Sequence, residues 1–286
     1  MRLKGIIYTI LSGLLYGFAP VICGLTYAYG NNATSTAFFR GLFVLPILAV
    51  LMIKNKISFK ITWNEFIKIL IVSLFGQVIT TILLYGSIEY VGAGTSTTLH
   101  FLYPLVVTLI CHYVYRDKLT KTHIIALSIA LLGIAMFLDL NDLTKLTGVI
   151  MAVASSVTFA IYLVGVEKLH LSRINDLKLT FYISLCMCAC TYIYGSFTNT
   201  LVLNQPIQSY IYLILIAILA QLCAVTFLKK GIEILGSSMA SLLSMFEPVT
   251  SVIFGVLLLN EELTVLKVIG CVLILFSISL LIKKDE

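Results

Sequence analysis

The sequence predicts an all-α integral membrane protein, with ten transmembrane helices arranged as two inverted-topology repeats of five helices each. Three observations lead to this fold class: the composition, the spacing of the apolar runs, and a repeat between the two halves of the chain. Of the 286 residues, 60% are hydrophobic and 11% are charged. Soluble domains are nearer half apolar and a quarter charged. The composition therefore excludes a soluble enzyme, a nucleic-acid-binding domain and a disordered chain.

Ten apolar runs are long enough to cross a bilayer, which takes about 20 residues per helix. The predicted spans are 5–28, 34–53, 66–88, 92–114, 122–138, 147–167, 178–197, 209–229, 236–259 and 264–282. The runs are continuously apolar rather than alternating, which argues against a β-barrel. The first run follows Arg2 and Lys4 as a signal peptide would. It has no clear small-residue cleavage site, so we interpret it as span 1.

The positive charges predict the orientation, because cytoplasmic loops carry an excess of Lys and Arg. With the N-terminus in the cytoplasm, sixteen of the 19 Lys and Arg residues fall on the cytoplasmic side. Lys145 and Lys267 fall on the other side, and Arg40 lies inside span 2. We therefore expect both termini in the cytoplasm, which requires an even number of spans. We also expect a location in the plasma membrane.

The two halves of the chain repeat. When residues 77–120 are shifted by 144 positions onto 221–264, nine of 44 positions are identical. The identities that an apolar composition does not explain are Gln77 with Gln221, Glu89 with Glu233, Gly92 with Gly236, and Pro104 with Pro248. The repeats, 1–141 and 145–286, each have five spans, an odd number, so they insert in opposite directions. Inverted repeats are common in transporters and place the binding site near the midplane.

The motifs within the repeat identify a family. Leu102-Tyr103-Pro104-Leu105, followed by Asp117-Lys118-Leu119-Thr120, resembles the end of an EamA repeat, and so does Phe246-Glu247-Pro248-Val249, followed by Asn260-Glu261-Glu262-Leu263-Thr264. The whole chain is similar to the drug/metabolite transporter superfamily in its ten-helix form with two EamA domains. The resemblance implies transport of amino acids, amines, nucleobases, vitamins or other metabolites, often outward. Tyr16-Gly17 matches an aromatic-Gly pair of that family, although tryptophan is common where this chain has Tyr16.

Glu247 is the leading candidate for substrate binding or coupling. It lies near the middle of span 9, directly before Pro248. An ionised carboxylate there is costly, so it must be protonated, paired or exposed to a watery cavity. The functional interpretation is a proton-coupling site or a counter-ion for a cationic substrate group. The structural alternative is a carboxyl group that bonds the backbone freed by the proline.

His100, Gln77, Gln221 and Arg40 are the other mid-membrane polar candidates. His100 titrates near neutral pH and can assist proton coupling, or it can be a neutral histidine bonded within the bundle. The symmetric amides Gln77 and Gln221 can bind substrate or join helices to one another. Arg40 can pair with an anionic group or extend to the outer interface.

Tyrosines on several spans suggest an aromatic cage near Glu247 that would suit an amine. The candidates are Tyr16, Tyr85, Tyr103, Tyr162 and Tyr182, of which Tyr103 aligns with Glu247 across the repeat. Tyrosine is also common at membrane interfaces, and Tyr85 lies near a predicted one.

The chain contains no GxSxG, HExxH or P-loop motif. Its seven cysteines lie in apolar segments without CxxC spacing, so we expect no metal and no cofactor. We therefore predict a secondary transporter of a small organic metabolite, an amino acid or related amine, that exports by alternating access. The alternatives are a membrane enzyme or assembly subunit that acts on lipid, and a channel. The expected partners are the small-molecule substrate and the lipid bilayer, with no nucleic acid. Coupling to a proton or ion and a homodimer are left open.

Overall fold

The computed structural model describes residues 2–138, 145–259 and 263–283. Its α-helices are α1 (Arg2–Tyr27), α2 (Ala33–Lys54), α3 (Trp63–Ser73), α4 (Thr80–His100), α5 (Tyr103–Tyr113), α6 (Lys121–Ala135), α7 (Leu146–Lys168), α8 (Asp176–Thr198), α9 (Ile207–Ile216), α10 (Val225–Leu243), α11 (Phe246–Leu259) and α12 (Val265–Lys283). Two π-helical segments, Leu74–Ile79 and Ala217–Ala224, join α3 to α4 and α9 to α10.

These helices form the ten predicted membrane crossings. Within the described residues, eight helices are long and apolar enough to cross a membrane, and two shorter apolar helices, Lys121–Ala135 and Phe246–Leu258, supply spans 5 and 9. Span 3 runs from Trp63 to Gly92 and span 4 from Gly94 to Tyr113. Gly236 separates span 8 from span 9 in the same way. The predicted boundary between the repeats, and residues 260–262 of the second motif, lie outside the described residues.

Several helices begin at a residue whose side chain caps the first turn. Such a side chain accepts hydrogen bonds from backbone N–H groups that have no partner within the helix. Asn32 accepts a hydrogen bond from the Ser35 backbone N–H at 2.8 Å at the start of α2. Thr62 and Glu65 form a capping box at the start of α3. Asn175 caps α8. Polar residues between the apolar runs thus determine where these helices begin.

The helices break at residues that the sequence marks. Gly92 (φ 72°, ψ 166°) and Gly236 (φ 78°, ψ 163°) have a backbone conformation that residues with a Cβ rarely adopt. Short turns at Phe101–Leu102 and Ser244–Met245 precede Pro104 and Pro248. Proline lacks an N–H and clashes with the preceding turn, so each helix restarts just ahead of it. Both kinds of break occur at positions related by the 144-residue shift.

The two halves interlock. α1 packs along α10 and α11 of the second half, while its repeat counterpart α7 packs along α4 and α5 of the first. The α2 helix packs against its counterpart α8, and α6 against its counterpart α12. Contacts between elements therefore occur in pairs related by the repeat, as an inverted two-fold arrangement requires. Each half contributes its first span to the core of the other.

The loops rich in Lys and Arg meet at one end of the bundle, which we call the basic end. Here the Lys178 ammonium donates to the Lys60 carbonyl, and Lys168 pairs with Asp117 at 2.8 Å. At the opposite end, Asn32 donates to the Thr200 carbonyl at 2.7 Å. The two ends therefore differ in charge, which is the property that the orientation prediction uses.

Spans 5 and 10 approach closely through small residues. A Cβ atom added to Gly270 would lie 2.6 Å from the Gly133 carbonyl oxygen, and one added to Gly133 would lie 2.8 Å from the Gly270 oxygen. Beside this contact Ser277 donates to the Ala126 carbonyl at 2.6 Å. Small residues allow membrane helices to approach until backbone and side-chain groups bond across the interface.

We expect Gly270→Ala to lower the melting temperature of the detergent-solubilised protein. The added methyl group would meet backbone, and such overpacking costs about 1–3 kcal/mol. The matched control is Gly24→Ala, where a Cβ meets nothing within 4 Å and helix propensity favours alanine by about 0.5–1 kcal/mol. Equal melting temperatures for the two variants would contradict the close approach of spans 5 and 10.

Candidate binding cavity

A cavity lies among spans 1–4, 6 and 9. The volume open to the centres of water molecules is about 50 Å³, which is room for a few waters. Five of the candidate residues line it: Tyr16, Arg40, Gln77, His100 and Glu247. A neighbouring pocket of about 40 Å³ shares Pro20, Thr97 and Phe101 with it. Candidate residues from five different spans therefore lie together in one cavity.

Arg40 is buried in this cavity and does not extend to the interface. Its side chain is 5% exposed. One guanidinium nitrogen donates to Gln77 Oε1 at 3.3 Å, and the guanidinium carbon lies 5.9 Å from the centre of the Tyr16 ring. The Nε atom has no hydrogen-bond partner, and no described carboxylate lies within 4 Å of the guanidinium. The structure therefore holds a buried cation that an amide and an aromatic ring satisfy only in part.

Glu247 is the acidic residue that lines the same cavity as Arg40. It is 5% exposed, and its Oε1 atom makes no hydrogen bond with the described residues. Gly17 lets span 1 pack against it, since a Cβ there would lie 2.4 Å from the Glu247 carbonyl oxygen. Ser251 donates to the Gly17 carbonyl at 2.8 Å and fixes the same contact. The aromatic-Gly pair of span 1 thus has two roles: Tyr16 lines the cavity, and Gly17 admits span 9.

His100 belongs to an aromatic cluster on the side of the cavity formed by span 6. Its ring centre lies 5.3 Å from Phe159 and 5.4 Å from Tyr103, and its Nδ1 atom is 2.8 Å from the Ser155 hydroxyl. Tyr103 meets Phe159 edge to face at 4.8 Å, and Tyr162 stacks on Phe159 at 5.7 Å. Tyr103 and Tyr162 therefore support the cavity wall from behind and do not line the cavity.

Gln77 reaches the cavity because the helix around it is π-helical. The extra residue per turn of such a segment changes which side chains face a neighbour, and π-bulges are frequent at functional sites. Gly76 in the same segment packs directly against Tyr162, where an added Cβ would lie 2.1 Å from the tyrosine Cβ. Span 3 and span 6 can approach this closely only with glycine at position 76.

Gln221 occupies the symmetry-related position but a different environment. Its Nε2 atom lies 3.1 Å from the Ser184 hydroxyl, in a π-helical segment of the second half, away from the cavity. Ser184 and Gln221 are the repeat counterparts of Arg40 and Gln77, 144 residues further along the chain. Both pairs are hydrogen-bonded, but an uncharged serine stands where the first half has arginine. Of the two symmetric amides, only Gln77 lines the cavity.

Tyr182 is likewise separate from the other candidates. Its hydroxyl donates to the Phe59 carbonyl at the basic end, because Tyr182 lies one turn and a half after the start of α8. The five tyrosines suggested as a cage therefore do not all line the cavity. Tyr16 and Tyr85 line it, Tyr103 and Tyr162 contact its lining residue Phe159, and Tyr182 lies at the basic end.

Other lining residues were absent from the sequence prediction. They are Pro20, Gly76, Thr80, Thr81, Leu84, Thr97, Phe101 and Phe159. A signal existed for some of them, since Gln77, Thr80, Thr81 and Leu84 follow the i, i+3, i+4, i+7 spacing of one helix face. Tyr85, which the sequence placed among the cage candidates and near an interface, is 3% exposed and lines the cavity. Phe159 could not be recognised from the sequence, because it is apolar, has no identical counterpart in the other repeat, and is one of many aromatic residues in this chain.

We expect Gln77→Leu to destabilise the empty protein more than Gln221→Leu does. The first variant removes a hydrogen bond to a buried charged group, worth about 1.5–3 kcal/mol, and the second removes a neutral bond worth about 0.5–1.5 kcal/mol. Melting temperatures of the two purified variants measure the difference. A larger loss in Gln221→Leu would show that Arg40 does not depend on Gln77.

Comparison with known proteins agrees with this architecture. A sequence model described as the EamA-like transporter family matches residues 3–138 and again residues 146–283. The uncharacterized transporter sll1319 of Synechocystis sp. is 22% identical over 327 aligned positions, which cover 98% of this chain and 94% of the relative. An uncharacterized transporter of Archaeoglobus fulgidus is 25% identical over 245 positions, covering 83% of this chain and 84% of the relative.

A solved crystal structure has the same fold, with a TM-score of 0.80 over 98% of this chain and 96% of that chain, at 14% sequence identity. At that identity the likeness concerns the fold alone. The family match covers nearly the whole chain in two consecutive repeats and identifies a transporter, which sets aside the alternative of a membrane enzyme. The chain belongs to the EamA-like transporter family.

Proposed function

We propose that this transporter moves a small zwitterionic metabolite, an α-amino acid or a close relative. The observation that carries the proposal is the presence of Arg40 and Glu247 in one cavity, each buried and neither in an ion pair with described residues. A buried charge without a partner is costly, and an opposite charge on a ligand would compensate it. A ligand with both charge types can satisfy the two groups at once.

The carboxylate of the substrate would bind Arg40. A guanidinium presents several N–H groups in a planar fork that matches a carboxylate, and here the Nε donor is unused. Charge-assisted bonds of this type are about twice as strong as neutral ones. Gln77 holds the guanidinium from one side and the Tyr16 ring lies beside it, so the fork is positioned before the substrate arrives.

The amino group of the substrate would bind Glu247, whose Oε1 is an acceptor without a partner. Aromatic faces attract ammonium groups as well, and Tyr16 and Phe159 line the cavity. A simple amine is the second candidate, favoured by these rings. We rank it below a zwitterion because Arg40 in the same cavity would repel a ligand whose only charge is positive.

The difference between the two ends of the bundle supports the proposal of alternating access. At the basic end, Lys168 pairs with Asp117 and Glu167, and Glu167 accepts from the Ser237 backbone N–H at the start of span 9. Lys229, 4% exposed, pairs with Asp176 at 2.5 Å and donates to the Ile174 carbonyl at 2.7 Å. These pairs join spans 6, 7, 8 and 9 and the loop after span 4.

The opposite end has no such ion pairs at the corresponding positions. Subtracting 144 from Glu167, Lys168, Asp176 and Lys229 gives Cys23, Gly24, Asn32 and Tyr85, all uncharged. We propose that the halves 1–141 and 145–286 rock about the cavity, and that breaking the pairs at the basic end opens the cavity to that side. By the positive-inside rule we propose that the basic end is cytoplasmic. A location in the plasma membrane stays part of the proposal. Export is the direction that the family resemblance favours.

We expect α-amino acids to raise the melting temperature of the purified protein, and their methyl esters and N-acetyl derivatives to raise it less. A ligand at 100 times its dissociation constant stabilises by about 2.7 kcal/mol. Glu247→Gln removes the anionic partner, and Gln77→Glu supplies Arg40 with an internal carboxylate, so each variant would lose the shift. Tyr182→Phe, which alters a tyrosine outside the cavity, is the control and would keep it.

Counterflow in proteoliposomes tests the same proposal by measuring transport of the amino acid. Saturable exchange of the stabilising amino acid, lost in Glu247→Gln, supports a transporter of that substrate, whereas unsaturable flux would favour a channel. Equal binding of an amino acid and its methyl ester would contradict the role of Arg40. Wild-type counterflow in Glu247→Gln would contradict the role of Glu247.

We expect Glu167→Gln to open the basic end more often, with Cys111 as a native reporter. The Cys111 thiol is buried, with its Sγ 3.5 Å from the Ser237 hydroxyl, beside the contact that Glu167 makes. Alkylation of Cys111, identified by peptide mass spectrometry, would be several-fold faster in this variant. Glu233→Gln is the control, since Glu233 is exposed and pairs only with Lys229 four residues before it. Equal rates in the two variants would argue against this closure.

A further inference from the structure

We infer that Ser155 fixes the tautomer of His100, and that the imidazole Nε2 thereby accepts a hydrogen bond from a primary ammonium group of the substrate. This inference rests on the proposed function and extends it. It assigns a role to Ser155, a residue of span 6 that does not itself line the cavity. It also narrows the substrate from any zwitterion to one whose nitrogen carries several hydrogens.

The assignment begins with the proton of the Ser155 hydroxyl. Ser155 is fully buried, and its Oγ donates to the Ala152 carbonyl at 2.6 Å. A serine hydroxyl has one hydrogen to donate and two lone pairs with which to accept. Since that hydrogen is engaged with Ala152, the 2.8 Å contact between Ser155 Oγ and His100 Nδ1 must have the imidazole as donor. The hydrogen of the ring is therefore on Nδ1.

The remaining ring nitrogen, Nε2, then determines what His100 offers to the cavity. His100 is 5% exposed, and no described carboxylate lies within 4 Å of its ring. An imidazolium buried without a counter-ion is unfavourable, so the ring is neutral and Nε2 carries a lone pair. None of the described residues bonds this atom, and His100 lines the cavity. His100 is thus a hydrogen-bond acceptor.

The cavity consequently has a donor side and an acceptor side. Arg40 supplies donors. Glu247 Oε1 is a buried acceptor without a partner, and the hydrogen bond that His100 makes with the described residues uses Nδ1, which leaves Nε2 as the second acceptor. Two acceptors require two N–H groups from the ligand. A primary ammonium group has three and can bond both, whereas a quaternary ammonium group has none and would leave both acceptors buried and unsatisfied. The site therefore favours a primary amino acid over its N-trimethyl analogue.

The first arm of the test reads the tautomer without any ligand. Nitrogen-15 NMR of protein labelled at histidine separates protonated from unprotonated ring nitrogens. The four histidines of the chain are few enough for His100→Gln to assign the relevant signals. We expect the Nδ1–H form in the wild type and a mixture in Ser155→Ala. An Nε2–H form or an imidazolium in the wild-type protein would overturn the inference.

The second arm measures selectivity with a matched control. Ser156 is the neighbour of Ser155, is equally buried and bonds the Val153 carbonyl at 2.7 Å, but it has no contact with His100. We expect the preference for a primary amino acid over its N-trimethyl analogue, measured by thermal shift, to fall about tenfold in Ser155→Ala and to persist in Ser156→Ala. Equal selectivity in both variants would contradict the role of Ser155.

Two further variants distinguish a hydrogen bond accepted at the Nε2 position from a purely structural role of His100. In His100→Gln the amide reaches the Nε2 position and can still accept, whereas in His100→Asn it reaches only the Nδ1 position. We expect the glutamine variant to retain more of the selectivity. If the Nδ1–H form is found but no amino acid binds, the zwitterion proposal fails and the ammonium contact with it, while the tautomer assignment stands by itself.

Discussion

Internal satisfaction of the backbone is the constraint on which this structure depends. In lipid an unpaired N–H or C=O group is costly, so a helix can be interrupted only where protein or a cavity covers the break. The interruptions here coincide with the site. Gln77 lies in a π-helical segment, His100 ends α4 just before a turn, and Glu247 begins α11 just after one. Three of the polar groups that line the cavity are therefore placed where the helices are irregular, whereas Arg40 lies within the regular helix α2.

The repeat supplies a symmetric scaffold, and the side chains make it asymmetric. Arg40 pairs with Gln77 as Ser184 pairs with Gln221, with the same spacing in the chain. Glu247 has Tyr103 as its counterpart, and His100 has Ser244. An inverted repeat can present equivalent surfaces to both sides of the membrane, but these substitutions leave one charged cavity. The same loss of symmetry appears at Glu167, Lys168, Asp176 and Lys229, which form ion pairs at the basic end and whose repeat counterparts Cys23, Gly24, Asn32 and Tyr85 are uncharged.

The sequence predicted the fold and pointed to part of the candidate cavity for different reasons. Apolar length, loop charge and the 144-residue repeat are one-dimensional properties, so spans and repeats could be recognised directly. Mid-membrane charge is a strong signal because it is costly, and it indicated Arg40, Glu247 and His100, while the repeat indicated Gln77. Tyrosine has no such cost at an interface, so the sequence could not distinguish Tyr16 and Tyr85, which line the cavity, from Tyr182, which does not. Phe159 and Ser155 gave no signal at all.

By itself, the sequence determined that this chain crosses the membrane ten times in two related halves and that it carries a few polar groups at mid-depth. Those properties follow from hydropathy and from the spacing of rare residues along one chain. Only the tertiary structure decided which polar groups meet. α1 and α7 each cross into the other half, so the cavity combines residues up to 231 positions apart, from Tyr16 to Glu247. The helical rotation set by the π-segments and by Gly17 and Gly76 then determines which side chains face it.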